Sequence, residues 1–238
     1  MSVEWLSSGY TSFTPSYSGT ENSDGGTGLS IGTVFSTIMA GFITQIRFWK
    51  TSIDTTTSRS VGIYNASGTL VASQTTSGEP VGTAQWITVA LSSPLATVAA
   101  AALVNEFVVV AEQPQQKYPA TGGLFSTGQP GQSKYSTPAG ALYSPSGSES
   151  VQASIAGNGL YLYGAGLNFP TNPASQAYFW VDAGWELTSG GGGGGSTGKI
   201  KVRSAGGTWD EKPVKYWTGS AWVAKPLKLW NGTAWVLA

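Results

Sequence analysis

Residues 42–50 read FITQIRFWK, and in that run Phe42, Ile46 and Phe48 share one parity while Gln45 and Arg47 take the other. This is the period of two that marks a half-buried strand. Residues 61–64, 70–72, 86–91, 107–111, 160–163 and 178–186 look similar, with NASG, SGEP, SSP, ATGG and AGNG as separators. Each separator is a turn signal, because Gly, Pro and Asn supply the dihedral angles that tight turns need. No segment sustains a period of 3.6, although an Ala-rich stretch at 98–104 has room for one turn of helix. Short strands of this kind bury their apolar faces by stacking two sheets. The pattern therefore predicts an all-β chain with an antiparallel β-sandwich, of jelly-roll or immunoglobulin-like type, over residues 30–189. The stretch as far as Ser36 is rich in Ser, Thr, Gly and Tyr and has few apolar residues. It reads as a partly ordered arm suited to docking on a neighbouring subunit, with residues 1–29 as the N-terminal arm or edge segment proper.

Six consecutive glycines at 190–195 end this pattern. Residues 190–198 can neither pack nor hold a helix, and they read as a linker spanning roughly 15–18 Å root-mean-square. Beyond it Trp209, Trp222 and Trp235 recur at a step of thirteen, and Gly206, Gly219 and Gly232 keep the same step. Lys212-Pro213 recurs as Lys225-Pro226. Residues 199–238 thus hold three copies of a strand–turn–strand unit, the first degenerate, and Asn231-Gly232 is the strongest of short hairpin signals. A two-residue loop at Thr218-Gly219 opposes Trp217 to Ser220, Tyr216 to Ala221 and Lys215 to Trp222, and in the last copy Lys228 to Trp235. Alternation then places Lys215, Trp217, Ser220 and Trp222 on one face, with Val214, Tyr216, Ala221 and Val223 on the other. A Lys stem over an indole would add packing and a cation–π contact. A module of about forty residues is near the size limit for independent folding and calls for a partner surface. Trp209, Trp217, Trp222, Trp230 and Trp235 carry the apolar area to seal it, whether against other copies in a homo-oligomer, the large domain or another protein. The alternative use of the same indoles is a sugar-stacking platform.

Composition narrows the chemistry. The chain has 238 residues, of which 40% are apolar and 12% aromatic, a globular balance, but only 10% are charged. It contains no Cys and no His, which removes thiol nucleophiles, disulfides, imidazole bases and most transition-metal sites. A Ser or Thr nucleophile would need Lys or a carboxylate as its base, and no two acids sit in a phrase typical of glycoside hydrolysis. GGTG at 25–28 lacks the Lys of a phosphate loop, and STGKI at 196–200 lacks the Ser or Thr that should follow Lys199. No enzyme is expected, and with it no catalytic residue, metal site or cofactor.

Net charge is zero overall but unevenly spread. Residues 1–189 carry five basic groups against ten acids, a net −5, whereas residues 199–238 carry seven against two, a net +5. The tail could meet an anionic surface, but its lysines recur with the repeat instead of clustering, which argues against nucleic acid. MSVEWLSSGY has no basic or apolar signal region, and the apolar run at 95–111 is broken by Asn105 and Glu106. Neither an export signal nor membrane insertion is expected. Arg47 and Asp182 are charges inside otherwise apolar strand phrases. They read as a structural ion pair tying the two ends of the sandwich together, the alternative being an anchor for a sugar hydroxyl or Ca²⁺.

GFITQIRFWK (41–50), VGIYNASGTLVAS (61–73), QWITVAL (85–91), NGLYLYG (158–164), FPT (169–171) and YFWVDAGWE (178–186) together resemble an uncharacterised bacterial family, a domain of unknown function of extracellular, often multidomain proteins and of phage proteins. The resemblance implies a β-sandwich that accompanies carbohydrate-binding or adhesion modules, with no established active site. It weakens between Lys117 and Ser154, where this chain is longer and rich in Gly, Ser and Pro. KPVKYWTGSAWVAKPLKLWNGTAWV, following a glycine tract, is similar to the C-terminal repeats of minor tail proteins in phages of actinobacteria. The expectation is a virion structural protein, a minor tail or tail-tip component, with other virion proteins as partners and a host cell-envelope glycan as ligand. A capsid decoration protein or head fibre and a bacterial carbohydrate-binding module are the alternatives.

Overall fold

The computed structural model describes residues 3–5, 21–98, 106–122, 135–136, 141–144, 158–174, 177–187, 199–203, 209–213, 215–224, 228–230 and 235–237. The chain forms two compact units, Met1–Leu187 and Thr188–Ala238. The glycine-rich linker at 190–198 lies outside the described residues. Among those described every regular element is a strand, and every pairing is antiparallel.

In the first unit the strands are β1 (Glu4–Trp5), β2 (Asn22–Ser23), β3 (Leu29–Thr37), β4 (Gly41–Lys50), β5 (Ser60–Asn65), β6 (Leu70–Thr75) and β7 (Gln85–Thr97). They continue with β8 (Glu106–Glu112), β9 (Lys117–Tyr118), β10 (Tyr135–Ser136), β11 (Leu142–Ser144), β12 (Gly159–Tyr163), β13 (Asn172–Pro173) and β14 (Val181–Glu186). One sheet has the order β1-β14-β4-β7. The larger one runs β10-β11-β3-β8-β5-β6, with β12 also beside β3 and β13 beside β12, while β2 and β9 pair apart. The two sheets make a β-sandwich whose core sets Ile46, Phe48, Val89, Val181 and Trp185 against Leu29, Phe35, Ile63 and Val109.

β3 corrects the expectation of an arm reaching Ser36. All nine of its residues are buried, and it pairs with β8 on one side and with β12 and β11 on the other. Its inward positions Leu29, Ile31 and Phe35 join the core between the sheets. Apart from Val34, its outward positions are small or polar, which hid the strand, yet they too are covered. Val34 packs with Tyr64, Val108, Val110 and Leu160 under Leu167 and Phe169. The Ser30 hydroxyl donates to the Gly166 carbonyl and accepts from the Asn168 amide. Farther toward the N-terminus, Glu4–Trp5 is an edge strand on β14.

β4 also departs from a simple alternation. A bulge between Ile43 and Gln45 shifts the register against β7, so Ile43, Ile46 and Phe48 face the core while Phe42 is only half buried. The added residue flips the parity of everything before it. The Ala-rich stretch at 98–104 lies outside the described residues except for Val98, which is exposed.

Two of the connections between the sheets lie together: 51–59 leads from β4 to β5, and 76–84 leads from β6 back to β7. Both close on one buried group of charges. Lys50, Asp54, Arg59 and Glu79 are exposed by 0%, 1%, 2% and 5%. Arg59 Nε donates to both Glu79 oxygens at 3.1 and 3.0 Å, and Nη2 donates to Glu79 at 2.8 Å and to Asp54. Its Nη1 reaches Gln113 and the Glu112 carbonyl at the end of β8. Lys50 Nζ donates to the Thr56 carbonyl and, at 3.2 Å, to Glu79, and the Arg59 guanidinium lies 4.7 Å from the Phe48 ring centroid. Two cations and two anions cancel, as a desolvated cluster must to survive. Burial alone would push the Asp54 carboxyl up. The Arg59 charge and hydrogen bonds from Arg59 and Thr56 outweigh it and hold the group below the ordinary carboxylate value.

Arg59→Met leaves a buried excess of negative charge and is expected to cost about 3–5 kcal/mol of unfolding free energy, read from urea titrations. The depressed Asp54 carboxyl contributes stability above its ordinary pKa and loses it as pH falls through the folded value. Wild-type stability should therefore decline below about pH 4, and less steeply in the variant.

Candidate functional site

The structure brings Arg47 and Asp182 together. They are register partners on adjacent strands β4 and β14, so the pair fastens two neighbours within one sheet and does not bridge the ends of the sandwich. Arg47 Nε and Nη2 both donate to Asp182 Oδ2, at 3.0 and 2.8 Å. The guanidinium is held between indoles, 4.2 Å from the Trp5 ring centroid and 4.4 Å from that of Trp86. Trp5 reaches this position because its register partner is Gly184, where an added Cβ would fall 3.0 Å from the indole and 2.7 Å from Val3. Trp49, Trp86 and Trp180 extend the aromatic cluster, with ring centroids 5.7–6.3 Å apart. Trp180 adopts φ 57°, an unusual conformation for so bulky a residue, and its Nε1–H donates to Thr121 Oγ1 at 3.0 Å.

In the second unit, β15 (Lys199–Arg203) pairs with β16 (Trp209–Pro213), β17 (Lys215–Trp217) with β18 (Trp222–Ala224), and β19 (Lys228–Trp230) with β20 (Trp235–Leu237). Each pair is a separate two-stranded sheet. The register differs from the expected one. Trp217 opposes Trp222 and Lys215 opposes Ala224; likewise Trp230 opposes Trp235 and Lys228 opposes Leu237. No Lys is the direct partner of a Trp in either hairpin. In the β17–β18 hairpin the cause is Thr218. Its amide donates to the Ala221 carbonyl at 2.9 Å and its hydroxyl accepts from the Ala221 amide at 3.1 Å. Thr218 thereby pairs with Ala221 just beyond β17, and the loop moves on to Gly219-Ser220, with Gly219 at φ 99°. That angle suits the first central position of a hairpin turn, where glycine is favoured. Trp209 opposes Arg203 in the first hairpin; Gly206, Asn231 and Gly232 lie outside the described residues.

A third constellation escapes sequence reading because its members are far apart in the chain. Between β3 and β12 on one side and the segments around β9 and Phe179 on the other is a cleft of about 310 Å³, lined by Asn22, Tyr118, Tyr161, Tyr163 and Phe179 among others. Tyr161 and Tyr163 stand edge to face with centroids 5.7 Å apart, and Tyr118 meets Phe179 at 5.8 Å. Asp24 gathers the phenols, accepting from Tyr163 at 2.7 Å and from Tyr118 at 3.1 Å. Tyr163 is half exposed, at 51%.

The loop bearing Asp24 is fixed from below. β2 pairs with β9, and the buried Gln116 accepts from the Gly26 amide and donates to the Gly28 carbonyl, both at 3.0 Å. Gly28 has φ 78°, and a Cβ there would lie 2.5 Å from the Gly164 carbonyl oxygen, so no other residue fits. Burial first, and then the Asp24 charge and hydrogen bond, push the Tyr118 hydroxyl well above its ordinary value. The hydrogen bond to Asp24 comes first for Tyr163, which is raised as well. Both phenols therefore stay protonated as donors to Asp24 at neutral pH. Each phenol oxygen keeps acceptor capacity while it donates, and the carboxylate keeps unused acceptor positions. Among the described residues no group of three or more acidic side chains is placed to hold a metal ion.

A family model described as "Domain of unknown function (DUF4082)" matches residues 15–181, more than two thirds of the chain. The search of curated proteins finds no match. Removing the charge in Asp24→Asn should return both phenols toward their ordinary value of 10. Phenolate absorbance near 295 nm is expected to rise at lower pH in the variant than in the wild type, and coincident titration curves would contradict the assigned contacts.

Proposed function

We propose that this chain, which belongs to the DUF4082 family, is a non-enzymatic structural and adhesive protein of a phage particle, a minor tail or tail-tip component. The observation that carries this reading is the thirteen-residue repeat, which emerges as successive hairpins with Trp opposite Trp. A non-hydrogen-bonded pair beside the turn brings its two backbones closest, and cross-strand aromatic pairs stabilise a hairpin by about 0.2–1 kcal/mol each. That is little for so small a unit, so the module gains most of its stability by covering its indoles with a partner. Trp217, 51% exposed, marks such a surface. Other copies of the chain and other virion proteins are the partners of this reading.

The sandwich is then the displayed part. Its tyrosine cleft favours a host-envelope glycan as ligand, and many weak contacts on one particle add through effective concentration. The same cleft is the specific observation in favour of a second reading, a bacterial carbohydrate-binding module. Membrane insertion and nucleic-acid binding have no part in either reading.

The test compares the full chain with a chain lacking residues 199–238, by solution mass and by co-sedimentation with actinobacterial cell envelopes. The expected result is a multimer that truncation reduces to monomers, with the full chain sedimenting. Two monomeric masses would refute self-assembly, and a full chain that remains in the supernatant would refute adhesion.

A further inference from the structure

We propose that the cleft between β3, β12 and the β9 segment is a binding site for one neutral hexose unit, the terminal or exposed sugar of a glycan. This assignment rests on the adhesive reading above and names the site and the ligand chemistry that would serve it.

A pyranose has an apolar face of C–H bonds and a rim of hydroxyls, and the cleft offers the complement of each. Tyr161 and Tyr163 form one aromatic corner, and Tyr118 with Phe179 forms the facing one. The rim is met by polar groups of the right sense: Asn22 lines the cleft, and the Asp24 carboxylate stands at the Tyr163 and Tyr118 hydroxyls. Because both phenols donate to Asp24, their oxygens keep acceptor capacity for sugar hydroxyls. A hydroxyl that donates to Asp24 itself makes a charge-assisted bond. At about 310 Å³ the cleft is at the small end of ligand sites, which restricts it to a single ring or a short chain end.

Charge selects among sugars. Asp24 is exposed and bonded to two of the tyrosines that line the cleft, with no cation among its described partners, and residues 1–189 carry a net −5. A uronic or sialic acid would bring its carboxylate against Asp24, whereas a neutral hexose or N-acetylhexosamine has no such cost. Preorganisation is built in, since Gln116 and the β2–β9 pair hold the Asp24 loop before any ligand arrives.

The experiment uses the full chain and titrates it with the methyl glycosides of glucose, galactose, mannose and N-acetylglucosamine, and with methyl glucuronide. Chemical shifts of the labelled protein are the readout. At least one neutral glycoside should bind in the millimolar range, on the order of −4 kcal/mol, with the largest shifts at Tyr118, Tyr161 and Tyr163. Tyr163→Ala, whose fold is checked by its thermal melt, should weaken that binding about tenfold or more. Asp24→Asn should also weaken the neutral sugar while narrowing the gap to the glucuronide. The site assignment is overturned if no neutral glycoside binds at tens of millimolar, if the shifts fall elsewhere, or if Tyr163→Ala binds as the wild type does. Envelope sedimentation of the same proteins separates the two levels. Equal sedimentation of wild type and Tyr163→Ala removes this site but keeps adhesion, whereas no sedimentation of the wild type removes the adhesive reading together with the site.

Discussion

Arg59 is the tie on which the sandwich depends. A sandwich of two sheets has a hydrophobic effect that favours contact but is indifferent to angle and sliding. Directional bonds have to supply the rest. Here a single guanidinium, with every donor engaged, joins the residue just before β5, the connection after β4, the connection after β6 and the end of β8. Lys50 adds β4 from the opposite sheet. Desolvating four charges is expensive, and apolar replacements of equal volume often match or exceed such clusters in stability. What the cluster provides is a geometry: it fixes these two crossovers in one arrangement and so constrains the relative placement of the two sheets.

The tyrosine cleft inherits that placement. It lies at the same end of β3 as the cluster, where Leu29 and Ile31 meet β12 and the chain enters from the Asp24 loop. Were the sheets to slide, Phe179, which leads into β14 of one sheet, would shift against Tyr161 and Tyr163 on β12 of the other. The site is thus assembled from three separate segments and is carried by the rigid part of the molecule. The β2–β9 pair and Gln116 serve as the local brace. Such a division suits a binding surface, whose affinity improves when the groups need no rearrangement.

How much of this was legible in the sequence varies with the range of the interaction. β4, β5, β7 and β8 announce themselves because alternation is a local property, and the Gly- and Pro-bearing turns between them are local as well. β3 did not, because the loop of 164–169 covers its outer face and allows Ser30, Gly32 and Ser36 where a solvent-facing strand would carry larger polar residues. Arg47 and Asp182 stood out as charges in apolar phrases, but Lys50, Asp54, Arg59 and Glu79 sit at strand ends and in connections, where charge is ordinary. Their burial comes from packing across both sheets. Asp24 and Tyr163 are 139 positions apart, and nothing in either neighbourhood points to the other. The hairpin register failed over one hydroxyl: Thr218 bonding back to Ala221 moved the turn by a single residue. A one-residue shift of the turn changes each cross-strand partner by two positions, so the parity of every strand position survived even though the Lys–Trp pairs did not.

The last strand of the sandwich in the chain, β14, is an interior strand of its sheet, between β1 at the N-terminus and β4. On the ribosome this ordering has a temporal meaning. Residues 41–97 can bring β4 and β7 together early, but Trp5 has no strand to pair with and Arg47 has no carboxylate until residues 181–186 emerge. The nascent sandwich therefore stays open along β4 for most of its synthesis and closes in one late, long-range step, the kind that high contact order makes slow. A gene encoding such a fold cannot be cut within the sandwich without losing its closure, while the glycine tract that follows offers a joint where whole modules can be exchanged.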